Sequence, residues 1–231
     1  MTKTVKPFMV MSSLIALFAI SSSADVIDLN FSRVYPGTPV LISGPGEIGN
    51  YKNVYAGQYL LQHTGVGTPQ KAFCVDPTWI KEGEISYNIV KPSLVNERLV
   101  KAAWLWETYA SEDNLSLSGA VSTQIAIWEV TWENENTGYD LSGGDFKLHN
   151  DYTSGHYRDK ANNMLAELSN LNLTDFNNFK TFADNNFRVV VSDQSQNFLI
   201  RHHSVPEAGT LMMFLTGLAS LGVVYRKKIV A

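Results

Sequence analysis

A single cysteine, Cys74, stands among the 231 residues, so no disulfide can form within the chain. Bases are scarce where the chain is expected to fold. Setting aside Lys3 and Lys6 at one end and Glu207, Arg226, Lys227 and Lys228 at the other, the 18 Lys+Arg and 22 Asp+Glu leave 13 bases against 21 acids, a formal charge of −8. Phosphate binding needs clustered Lys and Arg, so this balance argues against nucleic acid as a partner. There is no internal repeat, which excludes a solenoid. The stretch "NENTGYDLSGGD" carries Asp and Asn oxygens without the spacing of a calcium loop, and it reads as a solvated loop. No metal or cofactor is expected. Glu82, Glu84, Glu107 and Glu129 are candidate carboxylates, but nothing in the sequence pairs any two of them, so no acid–base role is assigned.

Hydrophobic residues make up 45% of the chain and aromatics 11%, enough for a packed core. The segments that read as export or membrane signals lie at the two ends. Lys3 and Lys6 precede an apolar run from Phe8 to Ile20, and Ser22, Ser23 and Ala24 follow as small residues; residues 1–24 are therefore expected to be a secretory signal peptide. At the other end, Val205, Pro206 and Glu207 stand before an uncharged segment, 208–225, closed by Arg226, Lys227 and Lys228. That segment is just long enough for a membrane helix, and its basic end should stay cytoplasmic. The pattern resembles the PEP-CTERM sorting signal of Gram-negative bacteria. The resemblance implies export to the cell surface or extracellular matrix, processing by an exosortase-type enzyme, and membrane anchoring before that processing.

Between the ends, residues 25–204 read as one α+β domain: an antiparallel sheet or sandwich with an inserted helical subdomain. "VIDLNFSRVY", "TPVLIS" and "VYAGQYLLQHTG" are strand-like, separated by turn clusters, and "ISYNIV" is a further strand closed by Lys91-Pro92. Period 3.6 then takes over. Helices are expected over about 94–110, 118–133 and 156–169, followed by the strands "FRVVVSD" and "NFLIRHH". Cys74, in "KAFCVD", falls at a strand end or just after it, since Pro77 stops the run.

Gln124 is the second residue of interest. It precedes Trp128 by four residues and follows Val121 by three, which sets its amide beside the apolar stripe of the second helix. A buried amide without a partner costs about 1–3 kcal/mol, so this one must meet a backbone group or another side chain. "FCVD" followed by "TQIAIW" resembles the paired signature of the thioester domains of bacterial surface adhesins. The resemblance implies that Cys74 supplies the sulfur and Gln124 the acyl group of an internal thioester. The chemistry is self-consistent: sulfur attack on the Gln124 carbonyl expels ammonia and leaves an activated acyl group. Phe73, Ile125, Ile127 and Trp128 are expected to keep water away. A primary amine on a partner, such as a lysine, would then attack the acyl carbon. That makes the protein a single-use hook and not a turning-over enzyme.

Two other readings stay open at this point. A cysteine hydrolase would draw its base from His63, His149, His156, His202 or His203, none of which lies in a recognisable catalytic motif. A noncovalent exopolysaccharide-binding module would use exposed aromatics among Trp79, Trp104, Trp106 and Trp132.

Overall fold

The structure is a computed structural model that describes residues 25–46, 48–63, 68–76, 78–111, 115–133, 138–149 and 155–202. The expected signal peptide and the sorting segment with its membrane helix lie outside the described residues. Among the described residues, no helix is long and apolar enough to cross a membrane.

The chain folds as an antiparallel sheet with helices inserted between its fourth and sixth strands. The strands are β1 (Val26–Gly44), β2 (Gly49–His63), β3 (Gln70–Cys74), β4 (Glu84–Val90), β5 (Lys147–Leu148), β6 (Phe187–Val191) and β7 (Phe198–Arg201). Their order is β2-β3-β7-β6-β4-β1-β5, and β1 also pairs with β2. Six strands therefore close into a ring, because Leu29 in β1 faces His63 of β2 on one side and Ile85 of β4 on the other. Ring closure removes the edges that an open sheet or sandwich would expose.

Two strand-like segments that the sequence separates at Pro36 and Gly37 are one long strand in β1. The pairing with β2 shifts register between Val34 and Gly37, so the proline sits at an irregularity where it need not donate to the ladder.

The helices are α1 (Pro92–Val95), α2 (Glu97–Tyr109), α3 (Leu117–Trp132), α4 (Gly155–Ser169) and α5 (Leu173–Asn186). The first expected helix is split. Asn96 adopts extended backbone, and its side chain accepts from the Leu99 N–H, starting α2 afresh. Ser116 caps α3 in the same way through the Gly119 N–H. Every residue of α3 from Gly119 to Val130 is buried, so this helix is central and not merely amphipathic. It packs on β1, β2 and β3 and against α2 and α4. In α4 the apolar face is Tyr157, Ala161, Met164, Leu165 and Leu168, all buried, at the spacing the sequence shows. The sequence reading placed no helix at α5. Asn172 caps it, and Ala183 is its one buried residue, with Phe176 and Phe179 partly covered.

Candidate functional site

Cys74 is the last residue of β3. On one side, Ala72, Phe73 and Cys74 pair with Ile200, Leu199 and Phe198 of β7. On the other side β2 pairs only with residues 70–72 and then leaves. The outward N–H and C=O of Cys74 therefore lose the strand that would have met them. Gln124 of α3 takes its place.

The Cys74 N–H donates to Gln124 Oε1 at 3.0 Å, and Gln124 Nε2 donates to the Cys74 carbonyl at 2.9 Å. The carboxamide thus acts as one more peptide in the ladder. Both residues are fully buried, and the two bonds satisfy four polar groups that would each be costly to orphan.

The sulfur has two partners. Trp128, one turn beyond Gln124 on α3, donates its indole N–H to Sγ at 3.2 Å, and the thiol donates to the Asp76 carbonyl at 3.2 Å. Burial pushes the thiol well above its ordinary pKa, and the nearby Asp76 carboxylate adds to this. The Trp128 N–H and the bond at Asp76 offset only part of the shift. The cysteine is therefore a neutral thiol at physiological pH, not a standing thiolate.

Adjacent strand residues face opposite ways. Phe73 accordingly projects from the other side of β3, where its ring meets Trp106 edge-on at 5.0 Å. Ile125 and Ile127 are fully buried beside Gln124 in sequence, and Trp128 packs against Trp132 with ring centroids 5.1 Å apart. Phe73, Ile125, Ile127 and Trp128 are all buried.

Sequence reasoning missed the loop after β3. Asp76 accepts from the Thr78 N–H and hydroxyl through Oδ1 and from the Asn197 N–H through Oδ2. Gln196 donates through Nε2 to the carbonyls of Thr78 and Asp76. The signal was present: Asp-Pro-Thr is a turn sequence in which an Asp oxygen bonds the N–H two residues on.

Among the described residues, no histidine hydrogen-bonds to Sγ. His149 instead bonds Ser43 through Nε2 at 2.6 Å and stacks on Tyr51; His203 lies outside the described residues. Of the tryptophans that a carbohydrate surface would need, Trp106 and Trp132 are buried and Trp104 is half-buried, whereas Trp79 is 47% exposed.

Glu129 of α3 and Glu133 at its C-cap lie one turn apart and hold the segment 138–149. Glu129 accepts from the Asp140 N–H, and Glu133 accepts from the Asp145 and Phe146 N–H groups. Glu129 is wholly buried, and desolvation pushes its carboxyl up to about 8, with the charges of Glu133 and Asp140 adding to the shift. Among the described residues no cluster of His, Cys, Asp and Glu is suited to hold a metal ion. No protein-family model and no curated protein matches the chain. Among solved structures, the chain is similar to the thioester domain of the Staphylococcus aureus TIE protein, at 12% identity and a TM-score of 0.41, covering 79% of this chain and 81% of that one.

Proposed function

We propose that Cys74 and Gln124 condense into an internal thioester, and that the protein is an exported surface adhesin that uses this bond once to capture a primary amine. The observation that carries the reading is the two-bond clamp of the Gln124 carboxamide on the main chain of the residue that bears the sulfur.

The clamp has chemical consequences beyond holding the chain together. The Cys74 N–H already lies on Gln124 Oε1, where negative charge develops when sulfur adds to the carbonyl carbon. The clamp holds the Gln124 carboxamide on the main chain of Cys74 in one buried site, which supports a positioned pair in place of a chance encounter. In the reaction the C–S bond forms, the C–N bond of the carboxamide breaks, and the thiol proton leaves on nitrogen as ammonia. The Trp128 N–H supports charge on sulfur as the proton departs. Capture runs the other way at the same carbon: the partner's nitrogen bonds to the acyl carbon, the C–S bond breaks, and a proton from the amine returns to sulfur. The product is an amide joining Gln124 to the partner, with a free Cys74 thiol. A surface location and membrane anchoring before exosortase-type processing follow from the sorting signal that residues 205–228 resemble.

Intact mass of the purified chain, measured in acid, tests the reading. The wild type is expected to be lighter than its sequence by one ammonia and to take up methylamine at Gln124. Cys74→Ala should show neither change. A wild-type chain of full mass, with one thiol alkylated by iodoacetamide after unfolding, overturns the proposal.

A further inference from the structure

Beside Trp128 lies a cavity of about 270 Å³ whose walls are mostly apolar, with Phe31, Tyr55, Tyr59, Trp79, Trp128 and Trp132 as the aromatic part. Its lining holds no charged side chain; Asn53, Thr78 and Gln196 supply the polar side-chain groups other than the Tyr hydroxyls and the Trp N–H groups. Trp128 joins this cavity to the buried pair. Its ring lines the cavity while its indole N–H rests on Cys74 Sγ, so one indole separates the two. The mouth is marked by Trp79 and Tyr55, 47% and 56% exposed.

Gln196 carries the second observation. Its Nε2 is taken by the Thr78 and Asp76 carbonyls, yet its Oε1 is buried and has no partner. A cavity with apolar walls and an unpartnered acceptor on a residue of its lining matches a ligand with an apolar stem and an N–H at its tip. Aromatic faces tolerate an approaching ammonium. Without a carboxylate in the lining, the low dielectric favours the neutral amine, which is the form that can attack an acyl carbon.

We propose that this cavity is the acceptor pocket of the thioester: it seats the unbranched alkyl stem of a primary amine against the aromatic walls, with the amine N–H on Gln196 Oε1. Trp79 and Tyr55 are then the residues that set amine preference, and Gln196 holds the amine. Ethanolamine and an amino sugar gain less there, because they bring little or no alkyl stem to bury against the apolar walls. The proposal rests on the thioester reading and adds to it a site and a selectivity. Transfer balances as above: the amine nitrogen bonds to the Gln124 acyl carbon, the bond to Cys74 breaks, and one amine proton passes to sulfur.

The experiment compares n-pentylamine, ethanolamine and glucosamine at equal free-base concentration, following adduct formation at Gln124 in the full chain by intact mass. The wild type is expected to react with n-pentylamine at least about tenfold faster than with either hydroxylated amine. Trp79→Ala and Tyr55→Ala should each shrink that ratio. Ammonia loss in each variant reports whether it has folded and formed the bond. Equal rates for the three amines in the wild type overturn the pocket while leaving the thioester standing, as does a ratio unmoved in variants that show ammonia loss. If the wild type shows no ammonia loss, the thioester reading fails instead. The cavity is then judged by quenching of tryptophan fluorescence with n-pentylamine: saturable quenching that Trp79→Ala weakens supports it, and linear quenching overturns it.

Discussion

Replacing Cys74 by serine separates a thioester from a well-satisfied buried thiol. The sulfur makes two hydrogen bonds, one accepted from Trp128 Nε1 and one donated to the Asp76 carbonyl. A serine hydroxyl can make both. The backbone clamp to Gln124 uses the N–H and C=O of residue 74 and is indifferent to its side chain. With a free thiol in the wild type, Cys74→Ser should therefore cost only about 1 kcal/mol, mainly for the smaller oxygen in a cavity shaped for sulfur. With a thioester, the substitution also opens a covalent loop spanning 50 positions. In the chain-entropy model of cross-links that loop is worth about 4 kcal/mol. For a domain of this size the difference corresponds to a fall in Tm of roughly 10 °C. Urea unfolding followed by tryptophan fluorescence suits the measurement, since Trp106, Trp128 and Trp132 are buried. Methylamine offers a control within one protein, because it opens the same loop and leaves Cys74 in place. Treated wild type and Cys74→Ser should then unfold together, both well below untreated wild type. Wild type and Cys74→Ser agreeing within about 1 kcal/mol, with no response to methylamine, would refute the reasoning.

In the Cys74→Ser background, Gln124→Leu should cost a further roughly 2–6 kcal/mol, because the N–H and C=O of residue 74 both lose their buried partner; an unchanged urea midpoint would mean that the clamp does not form in solution. Glu129→Gln tests the raised carboxyl. Its folded pKa of about 8 lies above the ordinary 4.5, so between those values the folded chain holds a proton that the unfolded chain releases, and stability falls as pH rises through that window. The slope approaches about 1.4 kcal/mol per pH unit for one proton, and the variant should abolish it and be the more stable protein at pH 8; parallel curves of stability against pH would refute the assignment. Gly144 has φ +72°, and a Cβ there would collide with the Glu133 carboxylate that holds the Asp145 and Phe146 N–H groups. Gly144→Ala should cost about 2 kcal/mol or more and speed limited proteolysis within 138–149; an unchanged Tm would count against that packing.

Local rules made part of this architecture legible in the sequence and failed where partners distant in the chain decide the outcome. Pro77 marks the end of β3, and helical spacing marks α3 and α4, because both signals act over a few residues. The split at Asn96 was legible only as a cap, and an apolar run on both sides of it masked that role. Helix α5 is rich in Asn and Asp and buries only Ala183 fully, so its periodicity barely exceeds that of a loop. Closure of the six strands depends on β1 continuing past Pro36 through a register shift, which no local reading supplies. The Cys74 and Gln124 motifs pointed to each other, but the manner of their meeting did not follow from them. It comes from β2 leaving the ladder after Ala72, which opens a place that only a side-chain amide from α3 can fill. Gln196 was invisible for the same reason, and only the local turn of Asp76 was legible, since their remaining contacts join residues about 120 positions apart.

Burial acts on the proposed chemistry in two opposite directions, and their balance explains a bond meant for one use. Low dielectric holds the Cys74 thiol protonated, which in the proposed chemistry slows attack on Gln124. Formation can afford to be slow, since it happens once while the folded chain holds both groups together. The same exclusion of water then protects the acyl group from hydrolysis until an amine arrives. Loosening the site to sharpen the nucleophile would admit water and shorten the life of the product. A partner amine must therefore come through a route that remains apolar, because an aqueous channel would carry water ahead of it. The aromatic cavity beside Trp128 meets that condition, and the unpartnered Gln196 Oε1 gives the arriving nitrogen a reason to stop there.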